Sequence, residues 1–343
     1  MKRLFDVCRV TAAVVVATAL MTGARAASTL DIYFIDVEGG QSTLLVTPAG
    51  QSLLIDTGYG GLGNRDPDRV LAAARMAGVT RLDYLLITHF HADHAGGAVE
   101  VVRRLPVGTF VDYGEPIEKS EFAQAPFAAY AAVRSQGLSR HPRPGEKLTL
   151  KGLEVEVLSA GGALLSRPTQ RTAGVRNSAC ATLEKQPDIE GENPRSIGIR
   201  VRFGSFTFLD LGDLPGANLS ALACPNNLLG HADVYLVPHH GNRDTAIPAV
   251  VEAVSPRVAI MNNGATKGGD PAAFKVLHEA TGIDGVWQLH RSRNQGAANY
   301  PDTFIANPGE GDKDAGAWLK ISAEGSGAFS VTNGRTGLTT RYK

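Results

Sequence analysis

The chain has 343 residues, of which 43% are hydrophobic and 20% charged, an ordinary balance for a globular protein. This length suffices for one large or two small domains and excludes a chain too short to bury a substantial core. The formal net charge is +0. We therefore expect no strong nucleic-acid binding from net charge, because non-specific binding needs a basic surface. A local basic groove stays compatible with the sequence, with Lys267, Arg291 and Arg293 as candidates.

Residues 1–26 have the pattern of a secretory signal peptide. Lys2 and Arg3 give a charged start, an apolar stretch runs from Val10 to Met21, and small residues occupy the Ala-x-Ala positions that end at Ala26. We predict cleavage after Ala26, a periplasmic or secreted product, and no stable membrane association after cleavage. An uncleaved anchor is the alternative, although the apolar run is short for a membrane span.

Cleavage at that point would leave two cysteines, Cys180 and Cys224. An even number of cysteines in an exported protein predicts one disulfide. Two separate buried thiols are the alternative.

Strand and helix signals follow from residue 31 onwards. The predicted strands are Asp31–Val37, Ser42–Val46, Ser52–Asp56, Leu82–Ile87, Thr109–Asp112, Lys147–Leu150, Leu153–Leu158, Ser196–Phe203, Ser205–Leu211, Val234–Val237, Val258–Met261, Gly285–Leu289, Trp318–Ser322 and Ala328–Thr332. The predicted helices are Asp66–Ala77, Gly96–Arg104, Ser120–Gln136, Asn218–Ala223, Pro248–Val254 and Pro271–Ala280. Residues 161–193 are predicted to be irregular and exposed. Two successive strand-then-helix blocks predict an α/β protein with a four-layer αββα sandwich, and we read residues 27–343 as one domain.

The densest chemical signal is the segment from Thr88 to Gly97. It places His89, His91, Asp93 and His94 within six residues, directly after a predicted buried strand. Imidazole and carboxylate are the side chains that bind Zn²⁺ and similar divalent metals. Alternate side chains of an extended or turn segment can converge on one metal, while the others face a neighbouring position. Two metals about 3.5–4 Å apart can clamp a substrate and share a hydroxide.

The pattern Thr88-His89-x-His91-x-Asp93-His94-x-Gly96-Gly97 resembles the signature of the metallo-β-lactamase superfamily of metal-dependent hydrolases. Three further segments resemble superfamily elements in the expected order: Ile55-Asp56-Thr57-Gly58, Leu211-Gly212-Asp213 and Asp233 to Gly241, which ends in His239-His240-Gly241. That last element, with Asn193-x-x-Ser196 upstream, is most similar to the hydrolase domain of ComEC-type DNA-uptake proteins and their stand-alone relatives.

The resemblance implies a role for each of these residues. Asp56 would support the metal-binding loop, and the Asp213 carboxylate would bridge two metals, although Asp210 competes for that role. His239 is the preferred metal ligand of its pair, since it directly follows the strand and Pro238. His240 would then contact the ligands or transfer a proton.

The sequence also departs from the family pattern. A histidine that many members place between the first motif and the Gly-Asp element is missing, because the interval contains only His141, in a polar loop. Asn193 stands near this place, and its neutral side chain would orient substrate or water. Asp270 or His290 would supply a further contact at the site. Among nearby polar side chains, Asn263 and Lys267 would donate to a developing anionic oxygen.

These features predict an exported metal-dependent hydrolase in which a metal-bound hydroxide attacks an ester-type bond. Asp93 would orient the nucleophile, and His240 or a metal-bound water would protonate the leaving group. The ComEC-like elements imply a phosphodiester substrate, such as nucleic acid or a phosphorylated wall component. Zinc is the expected cofactor, as one or two ions, with Mn or Fe also compatible. The alternatives are a lactonase or β-lactamase, and a non-catalytic metal-containing binding protein of the same fold.

Overall fold

The structure is a computed structural model that describes residues 29–169, 174–309 and 316–343. In these ranges the strands are β1 (Thr29–Phe34), β2 (Thr43–Val46), β3 (Ser52–Ile55), β4 (Leu82–Leu86), β5 (Val107–Val111), β6 (Leu138–Arg140), β7 (Lys147–Leu150), β8 (Leu153–Ala160), β9 (Ala163–Leu164), β10 (Gly198–Phe203), β11 (Phe206–Asp210), β12 (Val234–Leu236), β13 (Val258–Met261), β14 (Gly285–His290), β15 (Ile305–Asn307), β16 (Leu319–Glu324), β17 (Phe329–Asn333) and β18 (Thr339–Tyr342). The helices are α1 (Arg65–Met76), α2 (Ala92–Ala95), α3 (Ala98–Arg104), α4 (Glu121–Arg134), α5 (Gly216–Ala223), α6 (Pro248–Val254) and α7 (Pro271–Glu279).

The described strands form two mixed sheets. The first has the order β18-β17-β16-β1-β2-β3-β4-β5-β6, and the second has the order β15-β14-β13-β12-β11-β10-β8-β7 with β9 beside β8. Strands β3 to β6 run parallel in the first sheet, as do β11 to β15 in the second. Parallel neighbours need crossover connections, and helices α1 to α7 lie in these connections.

Three hydrophobic clusters fill the spaces between the layers. Strand β1 shows how the period-2 alternation of a strand divides its side chains between them. Leu30 and Ile32 join the cluster between the two sheets, while Tyr33 joins the cluster under α1, α3 and α4. A third cluster lies between the second sheet and α5, α6 and α7. The predicted αββα layering is therefore confirmed.

Most predicted elements are present with ends shifted by a few residues. Helix α6 and strand β13 have the predicted bounds, whereas the predicted helix Gly96–Arg104 begins at Ala98, after the separate short helix α2. Strands β6, β15 and β18 were not predicted. The described residues within 161–193 are largely irregular as expected, apart from β9 and a short 3₁₀ turn at Ser178–Thr182.

Two predictions concern the exported state. Cys180 and Cys224 form the predicted disulfide, with their Cα atoms 5.8 Å apart. The predicted signal peptide, residues 1–26, lies outside the described residues. No helix in the described part of the chain is long and apolar enough to span a bilayer.

Candidate metal centre

The candidate site is assembled from loops at the carboxyl ends of four strands. Asp56 follows β3, the segment from Thr88 to Gly97 follows β4, Asp213 follows β11, and the pair His239 and His240 follows β12. Strands β3 and β4 are parallel neighbours in one sheet, and β11 and β12 are parallel neighbours in the other. Each sheet therefore contributes two adjacent loops, and the loops meet between the sheets.

The backbone is unusual where the side chains converge. Asp56, His239 and His240 have left-handed φ angles of 58°, 51° and 57°, which non-glycine residues seldom adopt. Hydrogen bonds fix them: Asp56 N donates to Leu86 O at 2.8 Å, and His239 N donates to Gly212 O at 3.1 Å. Such conformations cost about 1–3 kcal/mol each and persist where surrounding contacts determine them, often at functional sites.

Close packing explains one glycine of the motif. A Cβ atom at Gly97 would overlap the carbonyl oxygen of Thr57. This approach brings the metal-binding segment against the loop that follows β3. Thr57 N in turn donates to His94 O at 2.7 Å.

Four buried side chains form the centre of the site. Asp93, His94, Asp213 and His240 offer donor atoms that all lie within 4.8 Å of one another. His94 Nε2 and His240 Nε2 are each 3.2 Å from Asp213 Oδ2. The same two nitrogens are each 3.3 Å from Asp93 Oδ2. Two carboxylates and two imidazoles therefore face a common point.

Two further imidazoles lie somewhat farther from the same oxygen of Asp213. His239 Nε2 lies 3.7 Å and His89 Nε2 4.0 Å from Asp213 Oδ2. His91 Nδ1 is 3.1 Å from His89 Nε2. Burial and the neighbouring His94 hold the pKa of His89 well below its ordinary value, so this ring is neutral and offers a lone pair. A single carboxylate oxygen is thus approached by four histidines, counting His94 and His240.

Carboxylates outside the centre orient three of the rings. His94 Nδ1 is 2.7 Å from Asp56 Oδ2, and Asp56 also accepts from Thr88 N at 2.8 Å. Two other partners were not foreseen from the sequence. They are Asp244, whose Oδ1 is 3.0 Å from His239 Nδ1, and Glu118, whose Oε2 is 3.1 Å from His91 Nε2. Carboxylate–histidine pairs of this kind fix ring orientation and tautomer in metal sites.

The charges of the central groups oppose the effect of burial. Burial would raise the pKa of Asp213, but His240 and His94 hold that pKa well below its ordinary value. Burial would likewise lower the pKa of His94, but Asp213 and Asp93 raise it well above its ordinary value. A proton on His94 therefore offsets part of the charge of the carboxylates in the metal-free protein. A divalent cation can replace such protons, which is why metal binding at Asp/His sites releases them.

Lys267 contributes a second balancing charge. Its ammonium group contacts Asp93 Oδ2 and lies 3.2 Å from the hydroxyl of Tyr59. Burial would lower the pKa of Lys267, but the Asp93 carboxylate raises it. The side chain therefore brings a permanent positive charge to the edge of the donor group.

Orphaned buried atoms test whether a metal fits this donor set. Asp213 Oδ1 and both ring nitrogens of His240 are buried, yet none has a hydrogen-bond partner among the described residues. The 3.2 Å approach of His240 Nε2 to Asp213 lies outside hydrogen-bonding geometry. Buried polar atoms rarely lack partners, and a metal ion would satisfy one ring nitrogen of His240 and a carboxylate oxygen of Asp213. The set of two carboxylates and two imidazoles therefore fits a divalent metal, without distinguishing Zn from its neighbours.

The structure places both His239 and His240 near Asp213, with their Nε2 atoms 3.7 and 3.2 Å from Oδ2. His240 belongs to the four-donor group, whereas His239, the preferred ligand, lies farther from Asp213 and is tied to Asp244. The left-handed turn at both residues rotates the second ring, rather than the first, into the centre. Asn193 does lie at the site, since its Nδ2 is 3.3 Å from His239 Nε2.

Three other candidates are placed elsewhere. Asp270 is the N-cap of α7 and accepts from Ala272 N at 2.8 Å, a role favoured by the Pro that begins the helix. Asn263 donates to the carbonyl oxygens of Gly264 and His290 at 2.9 Å each. His290 Nε2 is 2.6 Å from Asp36 Oδ1.

His290 belongs to a second acidic cluster. Asp36, Glu38 and His290 offer donor atoms within 4.8 Å of one another. Arg69 already occupies this cluster, with its Nη1 2.8 Å from Asp36 and 3.1 Å from Glu38. A guanidinium thus balances the carboxylates, so His290 is not a replacement for the missing histidine ligand.

Gln41 connects the two halves of the candidate site, which the sequence did not reveal. Its backbone N donates to Asp93 O at 3.1 Å, and its backbone O accepts from Gly58 N at 3.0 Å. Its side-chain Nε2 donates to the two carboxylate oxygens of Asp210, at 3.1 and 3.0 Å. Asp210 in turn accepts from Gly212 N at 3.0 Å. Gln41 therefore joins the loops of both sheets, and no ligand chemistry in its side chain signals this.

The family model of the Metallo-beta-lactamase superfamily matches residues 36–261. The chain therefore belongs to the metallo-β-lactamase superfamily, as the metal-binding segment predicted. The expected enzyme class, a metal-dependent hydrolase of this superfamily, is confirmed at the level of the family.

The curated relatives that match this chain are distant from it in sequence. The chain is 33% identical to a hydroxyacylglutathione hydrolase of Anaeromyxobacter dehalogenans over 135 residues, which is 39% of this chain and 48% of that protein. It is 26% identical to the competence protein ComA of Neisseria gonorrhoeae over 228 residues, 66% of this chain and 26% of that protein. It is 25% identical to recombination protein 2 of Haemophilus influenzae over 236 residues, 67% of this chain and 24% of that protein. The chain thus spans between a quarter and a half of the length of these relatives, and the predicted resemblance to ComEC-type proteins is confirmed.

Solved structures with this likeness include the metallo-β-lactamase fold protein YhfI from Bacillus subtilis. It is 12% identical, with a TM-score of 0.46, covering 76% of this chain and 96% of that one. Another is CmlA, a diiron β-hydroxylase from Streptomyces venezuelae, which is 17% identical, with a TM-score of 0.39, covering 68% of this chain and 44% of that one.

Proposed function

We propose that the protein is an exported zinc-dependent hydrolase whose substrate is a phosphodiester. One observation carries the proposal: four imidazoles approach Asp213 Oδ2, at 3.2, 3.2, 3.7 and 4.0 Å. This arrangement is suited to a carboxylate that bridges two ions. The matches to ComA and recombination protein 2, which extend over about two thirds of the chain, support the phosphodiester over other esters.

The side chains divide into two sets around the bridging carboxylate. Asp93, His94 and His240 would hold one ion together with Asp213, in keeping with their mutual distances. His89, His91 and His239 would hold a second ion on the other side of Asp213, so that His239 replaces the missing family histidine. When bound, divalent metals supply an activated water and neutralise charge on the phosphate.

The protein's own groups complete the chemistry. Lys267, anchored beside Asp93 and Tyr59, would bind a non-bridging phosphate oxygen and stabilise charge in the transition state. Asn193 lies at the edge of the second set and would orient the substrate. In hydrolysis the oxygen of water forms a bond to phosphorus, the phosphorus–oxygen bond to one alcohol breaks, and a proton of the water passes to that alcohol.

Export is part of the proposal. The signal-peptide pattern of residues 1–26 supports it, and so does the disulfide between Cys180 and Cys224. Disulfides form and persist in oxidising compartments such as the periplasm. Expression of the full chain in a bacterial host, followed by fractionation and N-terminal sequencing, should yield a periplasmic protein that begins after Ala26. A cytoplasmic protein with an intact N-terminus would contradict export.

A substrate panel tests the activity. We expect zinc-loaded protein to hydrolyse bis-p-nitrophenyl phosphate, and chelation or His94→Ala to abolish this turnover. Lys267→Met should lower kcat on the phosphodiester by about 10²-fold while leaving the bound metal in place, as removal of a charge-stabilising donor does.

Other members of the panel identify the alternatives. Faster hydrolysis of a lactone or nitrocefin would replace the phosphodiester with a lactone or β-lactam. A thioester is included because the relative with the highest identity quoted above is a hydroxyacylglutathione hydrolase. Bound metal with no turnover of any substrate would favour a binding protein.

A further inference from the structure

A cavity of about 700 Å³ opens beside the second set of histidines. Its lining comes from two loops, one before α4 and one in the irregular segment before β10. The lining residues are Ile117, Glu118, Ile189, Glu190, Gly191, Pro194 and Arg195. No metal ligand lines the cavity itself.

The cavity is nevertheless joined to the metal centre by three contacts. Glu118 Oε2 is 3.1 Å from His91 Nε2, so one wall of the cavity is the partner of a candidate ligand. The ring of Phe122, at the start of α4, packs on His91 with 4.9 Å between ring centroids. Asn193, next to the lining residue Pro194, contacts His239. An ester group bound in the cavity would therefore lie next to the reacting phosphate.

The two loops are held together by one buried carboxylate. Glu192 Oε1 accepts hydrogen bonds from Ile117 N at 2.8 Å and from Glu118 N at 3.0 Å. Glu192 N donates in return to Glu118 Oε2 at 3.3 Å. The walls are thus set by the protein before any ligand arrives, as is usual for small-molecule sites.

Exposed apolar side chains gather around this opening. Ile117 is 44% exposed, Phe122 46% and Ile189 38%, although large apolar side chains are usually buried. Clustered exposed apolar groups beside polar ones mark binding sites more often than single ones do.

The charge of the opening is strongly negative although the chain is neutral. Residues 115–121 and 188–195 together carry six carboxylates and two cationic side chains, a net charge of −4. The one cation in the lining, Arg195, donates to the carbonyl oxygen of Gly161 at 2.7 Å. Glu190 has no ion pair among the described residues. A negatively charged opening repels polyanions and concentrates cations.

We propose that this cavity binds one ester group of the substrate, and that this group is an apolar-bodied ammonium alcohol. The substrate class is then a zwitterionic phosphodiester, with its phosphate at the metal centre and its ammonium between Phe122 and the carboxylates of Glu118 and Glu190. Ammonium groups bind well over aromatic faces, and more so when carboxylates flank them. A nucleic-acid chain is disfavoured, because its flanking phosphates would meet the acidic mouth. The inference rests on the proposed phosphodiesterase function.

Matched chromogenic esters test the inference. The p-nitrophenyl phosphodiester of choline is compared with that of 3,3-dimethylbutanol, which has the same shape without the charge. We expect kcat/KM to be at least tenfold higher for the choline ester. Glu190→Lys should remove most of that preference, and Glu190→Gln part of it. Glu184→Lys is the control, because it makes the same charge change on an exposed residue that does not line the cavity.

The outcomes separate the inference from the proposed function. Equal kcat/KM for the two esters, equal effects of Glu190→Lys and Glu184→Lys, or faster cleavage of a single-stranded oligonucleotide would overturn the inference. Absence of turnover on every phosphodiester would contradict the proposed function. In that case calorimetric titration of the same two esters into the zinc-loaded protein still decides the cavity's preference.

Discussion

Gln41 offers a sharp test of how the two halves of the metal centre are joined. Gln41→Leu removes the amide that donates to Asp210 and accepts from Asn262 at 3.4 Å, while the backbone bonds to Asp93 and Gly58 stay. The buried Asp210 carboxyl then keeps only its bond from Gly212 N. Leaving a buried polar group under-satisfied costs about 1–3 kcal/mol. We therefore expect the free energy of unfolding to fall by roughly 2–3 kcal/mol.

The same change should weaken metal binding, because Asp210 and Gly212 position Asp213 in the donor group. Loss of such supporting contacts typically lowers metal affinity by about 10–100-fold. Urea unfolding of chelated protein and competitive zinc titration give the two numbers. Gln136→Leu is the matched control, since its amide is exposed and makes a single 3.4 Å bond to Ala132 O. A Gln41→Leu protein with the stability and zinc affinity of the control would refute the proposed role of Gln41 in connecting the loops of the two sheets.

The remaining predictions concern ion stoichiometry, pH and the disulfide. Native mass spectrometry should find two zinc ions on the unaltered protein and one on His239→Ala. In His240→Ala, the ion held by Asp93, His94 and Asp213 should bind at least tenfold more weakly than in the unaltered protein. Identical stoichiometry in all three proteins would contradict the two-ion division. Burial raises the pKa of Asp210 from 3.8 to about 7, so its contribution to stability is present below about pH 4 and lost as pH rises through 7. In chelated protein this loss of unfolding free energy is at most roughly 4 kcal/mol. Asp210→Asn should make the free energy of unfolding less dependent on pH, whereas parallel pH curves for the two proteins would contradict this prediction. Replacing Cys180 and Cys224 by Ser should lower the free energy of unfolding by about 4 kcal/mol from chain entropy, given their separation of 44 residues; no change on calorimetric or urea unfolding would mean that the bond adds nothing to stability.

The fold was predictable where local pattern and packing agree. Helix α6 begins at Pro248, a favoured first helical residue, and strand β13 is a continuous apolar run buried in a parallel sheet, so both have their predicted bounds. Strand β18, by contrast, lies at a sheet edge with an exposed, polar sequence. Its extended conformation comes from pairing with β17, a long-range interaction that local sequence does not record.

The candidate site divides in the same way. The segment from Thr88 to Gly97 was predictable because its donors are close in sequence. The placement of the His239 and His240 rings was not, because it depends on two left-handed φ angles set by contacts from other loops. Asp270 was assigned to the site by its place along the chain, but helix α7 uses it as an N-cap. Ligands within one loop can be predicted from the sequence. Contacts between loops cannot, because they depend on how the sheets assemble.

The central claim is that two ions sharing Asp213 drive hydrolysis of a phosphodiester. The most direct measurement is a titration of metal-free protein with zinc, in which bound ions per chain and turnover of bis-p-nitrophenyl phosphate are followed in the same samples. The account predicts that turnover rises with zinc and saturates at two ions per chain. Saturation of binding at two ions without turnover, or turnover that is complete before any zinc is bound, would contradict it.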